Sequence, residues 1–369
     1  MNHKRVIYVV KEALHMYPPC VSQILLMNDF GVDITVICGE CDQHLLNEFE
    51  KRKIKCIILG NKRISVPQLG KINAYLSFRR KAWRVINQYK DKNTVLWLGT
   101  VDSAIALVNK YKKMPYILSV LELYDKYPFY RFVLKRIIHD ASAIIACEDN
   151  RARIMKTWWS LEKKPYVLPN KPYHHPKMLK QKPTTPDLET AISKIQGKKV
   201  IVYQGIISAD RDLAVLAQAL NDMKSDYVLV LIGKSFYNGA DKVKKIYANS
   251  IYLGYFPAPL HLQITSYAHI GIANYDDSSM NNLFCAPNKI YEYTGFGIPV
   301  LGSDVPGLTS TIGTFLAGEC VDFSDKNSII DAINRIEDNY VVYQENARKF
   351  FKNTDNVSNM KKILLHINS

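Results

Sequence analysis

The feature that most constrains this chain is a regular alternation of short β-branched runs with longer amphipathic ones. RVIYVV, DITVICG, KCIILG, NTVLWLG, PYILSV, SAIIAC and YVLPN are brief and apolar, and helix-like segments such as VSQILLMNDFG separate them. Such alternation means βαβ units and a parallel sheet. It stops in a stretch that carries Pro169, Pro172, Pro176, Pro183 and Pro186, where a long helix cannot run. It then restarts with KVIVYQG, YVLVLIG, SIYLGY, HIGIANY and CVDFSD. At 369 residues the chain is too long for one ordinary core. The fold class is therefore α/β, with two doubly wound domains. The expected boundaries are 1–168 for a first domain, 169–196 for a linker, 197–345 for a second domain, and 346–369 for a helical segment packing back on the first. Ligands in such proteins sit at the carboxyl ends of the strands, in the crevice between domains.

Charge is unevenly divided. Residues 1–167 carry about 28 Lys and Arg against about 15 Asp and Glu, and the remainder carries about 21 against 19. A basic first half suits nucleic acid, an anionic membrane or a phosphorylated substrate. No run approaches the ~18 apolar residues of a membrane span, and the apolar run in MNHKRVIYVV is too short for a secretory signal. A cytoplasmic protein is expected. The seven cysteines are scattered, which argues against a disulfide framework. Cys38-Gly-Glu-Cys41 is a CxxC without thioredoxin-like context, so it reads as a strand end with two chance cysteines, and no metal site is expected.

Two stretches carry chemistry. In APNKIYEYTGFGIPVLGSD (286–304), Pro287 suits the first turn of a helix, and Gly297 and Pro299 end it. Asn288, Lys289 and Glu292 share one face of that helix, near its start. A Lys there suits an anion, and a Glu can accept from a vicinal diol; together they describe a nucleoside diphosphate. The alternative is a solvated Lys–Glu pair worth ~0.2–0.5 kcal/mol. In YQGIISADRDLAVLAQAL (203–220), Gly205 ends a strand and Arg211 precedes a helix starting near Asp212, where a guanidinium could grip phosphate or merely sit between two aspartates. No P-loop and no GxGxxG fingerprint occurs.

Over nearly its whole length the chain resembles the GT-B glycosyltransferases, and within them glycosyltransferase family four. APNKIYEYTGFGIPVLGSDVPGL is similar to the family signature, YQGIISADRDL to its phosphate-binding turn, and LGYFPAPLHLQITSYAHIGIANY to its nucleobase-side segment. The resemblance implies two Rossmann-like domains facing across a cleft. It implies a retaining transfer of sugar from a nucleotide-diphosphate sugar, UDP slightly favoured over GDP, with no metal or other cofactor. Glu292 matches the second Glu of the Glu-x7-Glu motif and would bind the ribose. Arg211 and Lys289, in a Pro-Asn-Lys variant of that motif, would act as the catalytic groups on the diphosphate. Gly205, Tyr255, Phe256, Asn282 and Asn288 complete the expected donor site.

The chain departs from the family at three places. Phe284 stands where the first Glu is expected, which leaves Asn281, Asn282 and backbone N–H groups near Cys285 to read the donor sugar. Ile206 replaces the first basic residue after the glycine, and Leu121-Glu122 replaces a His-Glu pair. The expected mechanism is front-face attack, with the leaving diphosphate helping to deprotonate the acceptor hydroxyl.

KINAYLSFRRKAWRVINQYK (71–90), KYPFYRFVLKRIIHD (126–140) and RARIMKTWWS (151–160) mix aromatic and basic residues. They suit an anionic membrane surface. This fits a peripheral enzyme at the inner face of the plasma membrane, acting on a glycan or lipid-linked glycan in bacterial surface polysaccharide synthesis. Asp102 and Glu122 are the acceptor-side candidates. A nucleotide-sugar epimerase on the same fold is the alternative; a nucleic-acid partner is not expected, because no binding motif accompanies the charge.

Overall fold

The computed structural model describes residues 5–60, 67–107, 114–208 and 212–368. Two compact units divide the chain: Met1–Tyr173 with Asp355–Ser369, and His174–Thr354. The first holds seven parallel strands: β1 (Arg5–Ala13), β2 (Ile34–Glu40), β3 (Lys55–Ile58), β4 (Thr94–Leu98), β5 (Tyr116–Val120), β6 (Ala143–Ala146) and β7 (Tyr166–Val167), in the order β3-β2-β1-β4-β5-β6-β7. The second holds β8 (Lys199–Gln204), β9 (Tyr227–Ile232), β10 (Ser250–Gly254), β11 (Ile270–Ala273), β12 (Val300–Ser303) and β13 (Gly318–Val321), in the order β10-β9-β8-β11-β12-β13. Each sheet runs outward in one direction, returns to its middle, and runs outward in the other. The connections after β1 and β4, and after β8 and β11, therefore diverge to opposite sides. They leave a crevice at the carboxyl edge of each sheet.

The cores follow from the strand composition. β1 and β8 are buried along nearly their whole length, as strands covered on both faces must be. Large polar side chains are tolerated inside only with partners: the Trp97 indole donates to Ser119 Oγ (2.9 Å) and the Tyr8 hydroxyl to Gln23 Oε1 (2.7 Å).

Two boundaries differ from expectation. The linker expected over 169–196 contains the helix Pro186–Ser193, which buries Leu188, Ala191 and Ile192 in the second unit. Thr185 caps it, its hydroxyl accepting from the Leu188 N–H (3.3 Å), and Pro186 fits the first turn. The proline density that argues against a long helix thus conceals the start of a short one. The segment expected over 346–369 is split. Helix Tyr340–Asn353 buries Phe350 and Phe351 in the second unit, and helix Asn356–Asn368 buries Met360, Ile363, Leu364 and Ile367 in the first. Asn356 Nδ2 ties the latter to the Pro169 carbonyl (2.8 Å). Among the described residues no helix is long and apolar enough to cross a membrane.

Candidate active site

Three neighbouring strands of the second unit end in glycine. Gly205 and Gly233 follow β8 and β9, and Gly254 closes β10, with φ of 137°, 138° and 84°. A Cβ on Gly233 would lie 1.8 Å from the Gly205 carbonyl oxygen, so only glycine lets these strand ends meet. The expected glycine turn after β8 is therefore part of a wider glycine edge.

Across the switch point from β8, the chain leaves β11 through a polar loop and enters the helix Asn288–Thr294. Pro287 is the residue before the first turn, with ψ 140°, rather than within it. The helix is pinned from below. The Tyr293 ring lies on Gly271, where a Cβ would be 2.3 Å away, and its hydroxyl accepts from the Gln204 N–H (3.3 Å). With Ile290 and Tyr293 in the core, Lys289 and Glu292 are turned toward the end of β8.

Neither residue lies on a solvated face. Lys289 is 6% exposed and Glu292 7%. The Lys289 ammonium lies 4.3 Å from the Tyr203 ring centre and 5.4 Å from that of Tyr275. A Cβ at Gly205 would be 3.4 Å from its Nζ. A cation carried this far from water is supported by the electron-rich ring faces. Glu292 Oε2 accepts from the Gln204 amide and lies 3.3 Å from His261 Nε2; Thr265 Oγ1 in turn donates to Gln204 Oε1 (2.6 Å). Burial raises the Glu292 carboxyl pKa, but His261 and the Gln204 hydrogen bond outweigh it and leave the group below its ordinary value.

His175 holds the same helix from the other side. Its Nε2 meets the Glu292 carbonyl (2.9 Å), and its Nδ1 accepts from the Lys177 N–H (3.0 Å). This pattern requires a neutral ring protonated at Nε2, and burial lowers its pKa to about 4.

The structure thus brings together Gly205, Lys289 and Glu292. It adds Gln204, Tyr203, Tyr275 and His261, which the sequence reading missed. Gln204 and Tyr203 flank the glycine turn and could have been found from it; His261 carries no local signal. Asn288 is the half-buried first residue of the helix. Asn282 is engaged in its own loop, donating from Nδ2 to Asp276 Oδ1 (2.6 Å), and the Cys285 N–H donates to the Asn282 carbonyl (3.1 Å). Phe284 is half-buried and ends the short helix Met280–Leu283. Tyr255 is 45% exposed beyond β10, with the Lys234 ammonium 5.1 Å from its ring centre, and Phe256 packs partly on the core. Arg211 lies outside the described residues, and the helix expected from Asp212 begins at Ala214, whose N–H donates to Asp212 Oδ1 (2.9 Å). A cavity of about 640 Å³ at the ends of β11–β13 is lined by Asp212, Asp276, Asp277, Asp304 and Asp322 among others. Such a lining repels a diphosphate.

In the first unit, Asp102 Oδ1 accepts from the Tyr130 hydroxyl (2.8 Å) and from that of Tyr75. Tyr130 stacks on Tyr124 at 4.8 Å, and the Lys11 ammonium lies 4.1 Å from the Tyr75 ring centre. Burial, then the Asp102 carboxylate, raises the pKa of Tyr130 to about 12. Glu122 is exposed, 3.4 Å from Arg151 Nη1. Helix Pro128–Ile137 buries Val133, Leu134 and Ile137 but leaves Phe129 and Phe132 61% and 54% exposed; Arg136 stacks on Phe132 at 4.0 Å.

No protein-family model and no curated protein matches this chain. Solved structures do. HepE of Anabaena, in complex with UDP and glucose, is 13% identical over 100% of both chains with a TM-score of 0.73. A glycosyltransferase from Rickettsia africae is 14% identical over 100% of both chains, TM-score 0.72. Sucrose-phosphate synthase from Thermosynechococcus elongatus is 14% identical, covering 99% of this chain and 98% of that one, TM-score 0.71. Two Rossmann-like parallel-sheet domains, matched along their full length by these structures, give the chain the GT-B glycosyltransferase fold.

Proposed function

We propose that the protein is a retaining, metal-independent glycosyltransferase that moves a sugar from a nucleotide-diphosphate sugar to a glycan acceptor. The observation that carries this reading is the buried Lys289 ammonium against the Gly205 turn, at the carboxyl edge of the second sheet. A buried cation beside an open glycine backbone suits a diphosphate, whose charge it can meet with a charge-assisted contact. Lys289, joined by Arg211, would stabilise charge developing on the leaving β-phosphate. Glu292, oriented through Oε2 by Gln204 and His261, would offer Oε1 to a ribose hydroxyl. Tyr255, Phe256 and Lys234, beyond β9 and β10, would flank the nucleobase. Asn282 and Asn288 remain the nearest candidates for the donor sugar, where Phe284 replaces a carboxylate. HepE was solved with UDP and with UDP-glucose, which favours UDP over GDP as the nucleotide.

With the donor held, an acceptor hydroxyl would attack the anomeric carbon on the face the diphosphate leaves, its proton passing to a leaving phosphate oxygen. The protein supplies position and charge rather than a nucleophile. Asp102 and Glu122, at the carboxyl edge of the first sheet, are the proposed acceptor-side groups. The exposed aromatic and basic face of helix Pro128–Ile137 fits docking on an anionic membrane and a lipid-linked acceptor, as in surface polysaccharide synthesis at the cytoplasmic face.

A thermal-shift screen across UDP, GDP, ADP and CDP tests the reading. A ligand at ~100 Kd stabilises its domain by ~2.7 kcal/mol. UDP is expected to give the largest shift, and no shift with any nucleotide refutes a donor site.

A further inference from the structure

Asp102, Tyr75 and Tyr130 belong to a larger cluster at the switch point of the first sheet, where β1 and β4 lie side by side. Lys11 stands near the end of β1, and Asp102 in the first turn of helix Val101–Leu107, after β4. The Lys11 N–H donates to Ser103 Oγ (2.9 Å), which pins the strand to that turn. In an open parallel sheet this is where ligands bind. Tyr75 arrives on helix Pro67–Tyr89 and Tyr124 from the connection after β5. Tyr127 and Tyr130 flank the start of helix Pro128–Ile137.

The rings form a platform. Tyr124 stacks on Tyr130 with planes 7° apart, and Tyr127 stands edge-on to both, at 6.3 and 5.9 Å. Rings in mutual contact leave no cage between them for a cation. What stays open is the Tyr127 ring, which is exposed. Tyr124 keeps its stack in a left-handed backbone conformation, φ 58°, that disfavours an aromatic residue; the Tyr127 N–H donates to its carbonyl (3.0 Å). Tyr130 joins platform to carboxylate, its ring beside Tyr127 and its hydroxyl 2.8 Å from Asp102, all within the span of a disaccharide.

The polar end of the cluster accepts rather than donates. The Tyr75 and Tyr130 hydroxyls both donate to Asp102 Oδ1, and Oδ2 takes part in neither bond. A hydroxyl that has directed its proton to a carboxylate can only accept from a further partner. The Lys11 ammonium is engaged by Glu12 Oε1 and the Tyr75 ring. Asp102 Oδ2 and the two phenol oxygens thus suit a neutral ligand rich in hydroxyls and repel a phosphate. A pyranose has hydroxyls on its rim and C–H groups on its faces, whose slightly positive hydrogens are drawn to the negative face of an aromatic ring.

We propose that Tyr127 is the stacking platform of a pyranose subsite, with Asp102 Oδ2 and the Tyr75 and Tyr130 oxygens accepting from the sugar's hydroxyls. Its role rests on the transferase reading: the subsite holds an unphosphorylated sugar of the glycan acceptor. Tyr124 is a positioning residue, acting through its stack on Tyr130.

The test is saturation-transfer NMR on the full-length protein with a panel of methyl pyranosides, beside the thermal shift with UDP. Ring C–H protons of at least one pyranoside should take up saturation, and inorganic phosphate at the same concentration should not reduce it. Tyr127→Ala should weaken that sugar about tenfold, whereas Tyr127→Phe, which keeps the ring face, should stay within about twofold of wild type. Tyr130→Phe keeps the stack but removes one acceptor and its bond to Asp102, and should weaken binding about 3- to 10-fold. The wild-type shift with UDP should be unchanged in all three variants. No saturation of any pyranoside, equal affinity of Tyr127→Ala and wild type, or displacement by phosphate would each overturn the proposal, whether or not UDP binds. Pyranoside binding that Tyr127→Ala abolishes, in a protein that UDP does not stabilise, would uphold the subsite and remove the donor site alone.

Discussion

Replacing Lys289 by Met separates a functional cation from a structural one. Met keeps the length of the side chain and removes its charge. The substitution loses two ring contacts, at 4.3 and 5.4 Å, worth ~0.5–2 kcal/mol together at a site this buried. It regains ~0.3–1.5 kcal/mol from the thioether against the same rings. It also relieves the cost of holding an ammonium at 6% exposure, which is several kcal/mol before pairing. These ring and burial contributions cancel to within about 1 kcal/mol, a midpoint change of about 2–4 °C for a domain of this size. Binding moves much further. A charge-assisted contact to phosphate is worth ~1.5–3 kcal/mol, so affinity for the preferred nucleoside diphosphate should fall about 10- to 150-fold. Turnover should fall about 10²- to 10³-fold, as when one donor is removed from an anion hole. Isothermal titration with UDP and GDP reads the affinity change and urea denaturation the stability change. Nucleotide affinity within twofold of wild type would refute the assignment. So would a loss of several kcal/mol in stability, which would make Lys289 a structural residue.

Four further outcomes follow. His175 has a folded pKa near 4, below its ordinary value of 6.5. The unfolded chain therefore binds more protons between those values, and stability is complete above about pH 6.5 and lost as pH falls toward 4, by about 3 kcal/mol in all. Urea midpoints measured from pH 7.5 to 4.5 should show this slope, and His175→Gln should flatten it. Gly233→Ala forces a Cβ to within 1.8 Å of the Gly205 oxygen at φ 138° and should cost about 3 kcal/mol or more, with loss of any nucleotide-induced shift. Gly31→Ala, at φ 74° with open space around it, should cost only about 1–2 kcal/mol. Flotation with anionic liposomes should show salt-sensitive binding, weakened in Phe129→Ser/Phe132→Ser; absence of binding at low salt would remove the membrane role.

Much of this molecule is legible locally. Alternating runs of period two and period 3.6 specify parallel sheets, and in such sheets every βα connection must emerge at the carboxyl edge. That rule alone places Gly205 and the Asn288–Thr294 helix on one side of the second sheet. What local pattern cannot carry is burial by distant partners. Spacing left Lys289 and Glu292 equally suited to a solvated pair and to a site. The choice was made by Tyr293 seated on Gly271, and by Gln204 and His261 reaching Glu292 from the end of β8 and from the connection after β10. The helix Pro186–Ser193 was hidden because proline density reads as a linker until the core it packs on is known. Cys56 lies against Cys38, 3.7 Å between sulfurs, because strand register set the two on one face of adjacent strands. Backbone periodicity is written in neighbouring residues, and the sequence by itself determined the strands, most of the helices and their order. Which side chains meet depends on the packing of segments far apart in the chain, and only the tertiary structure decided it.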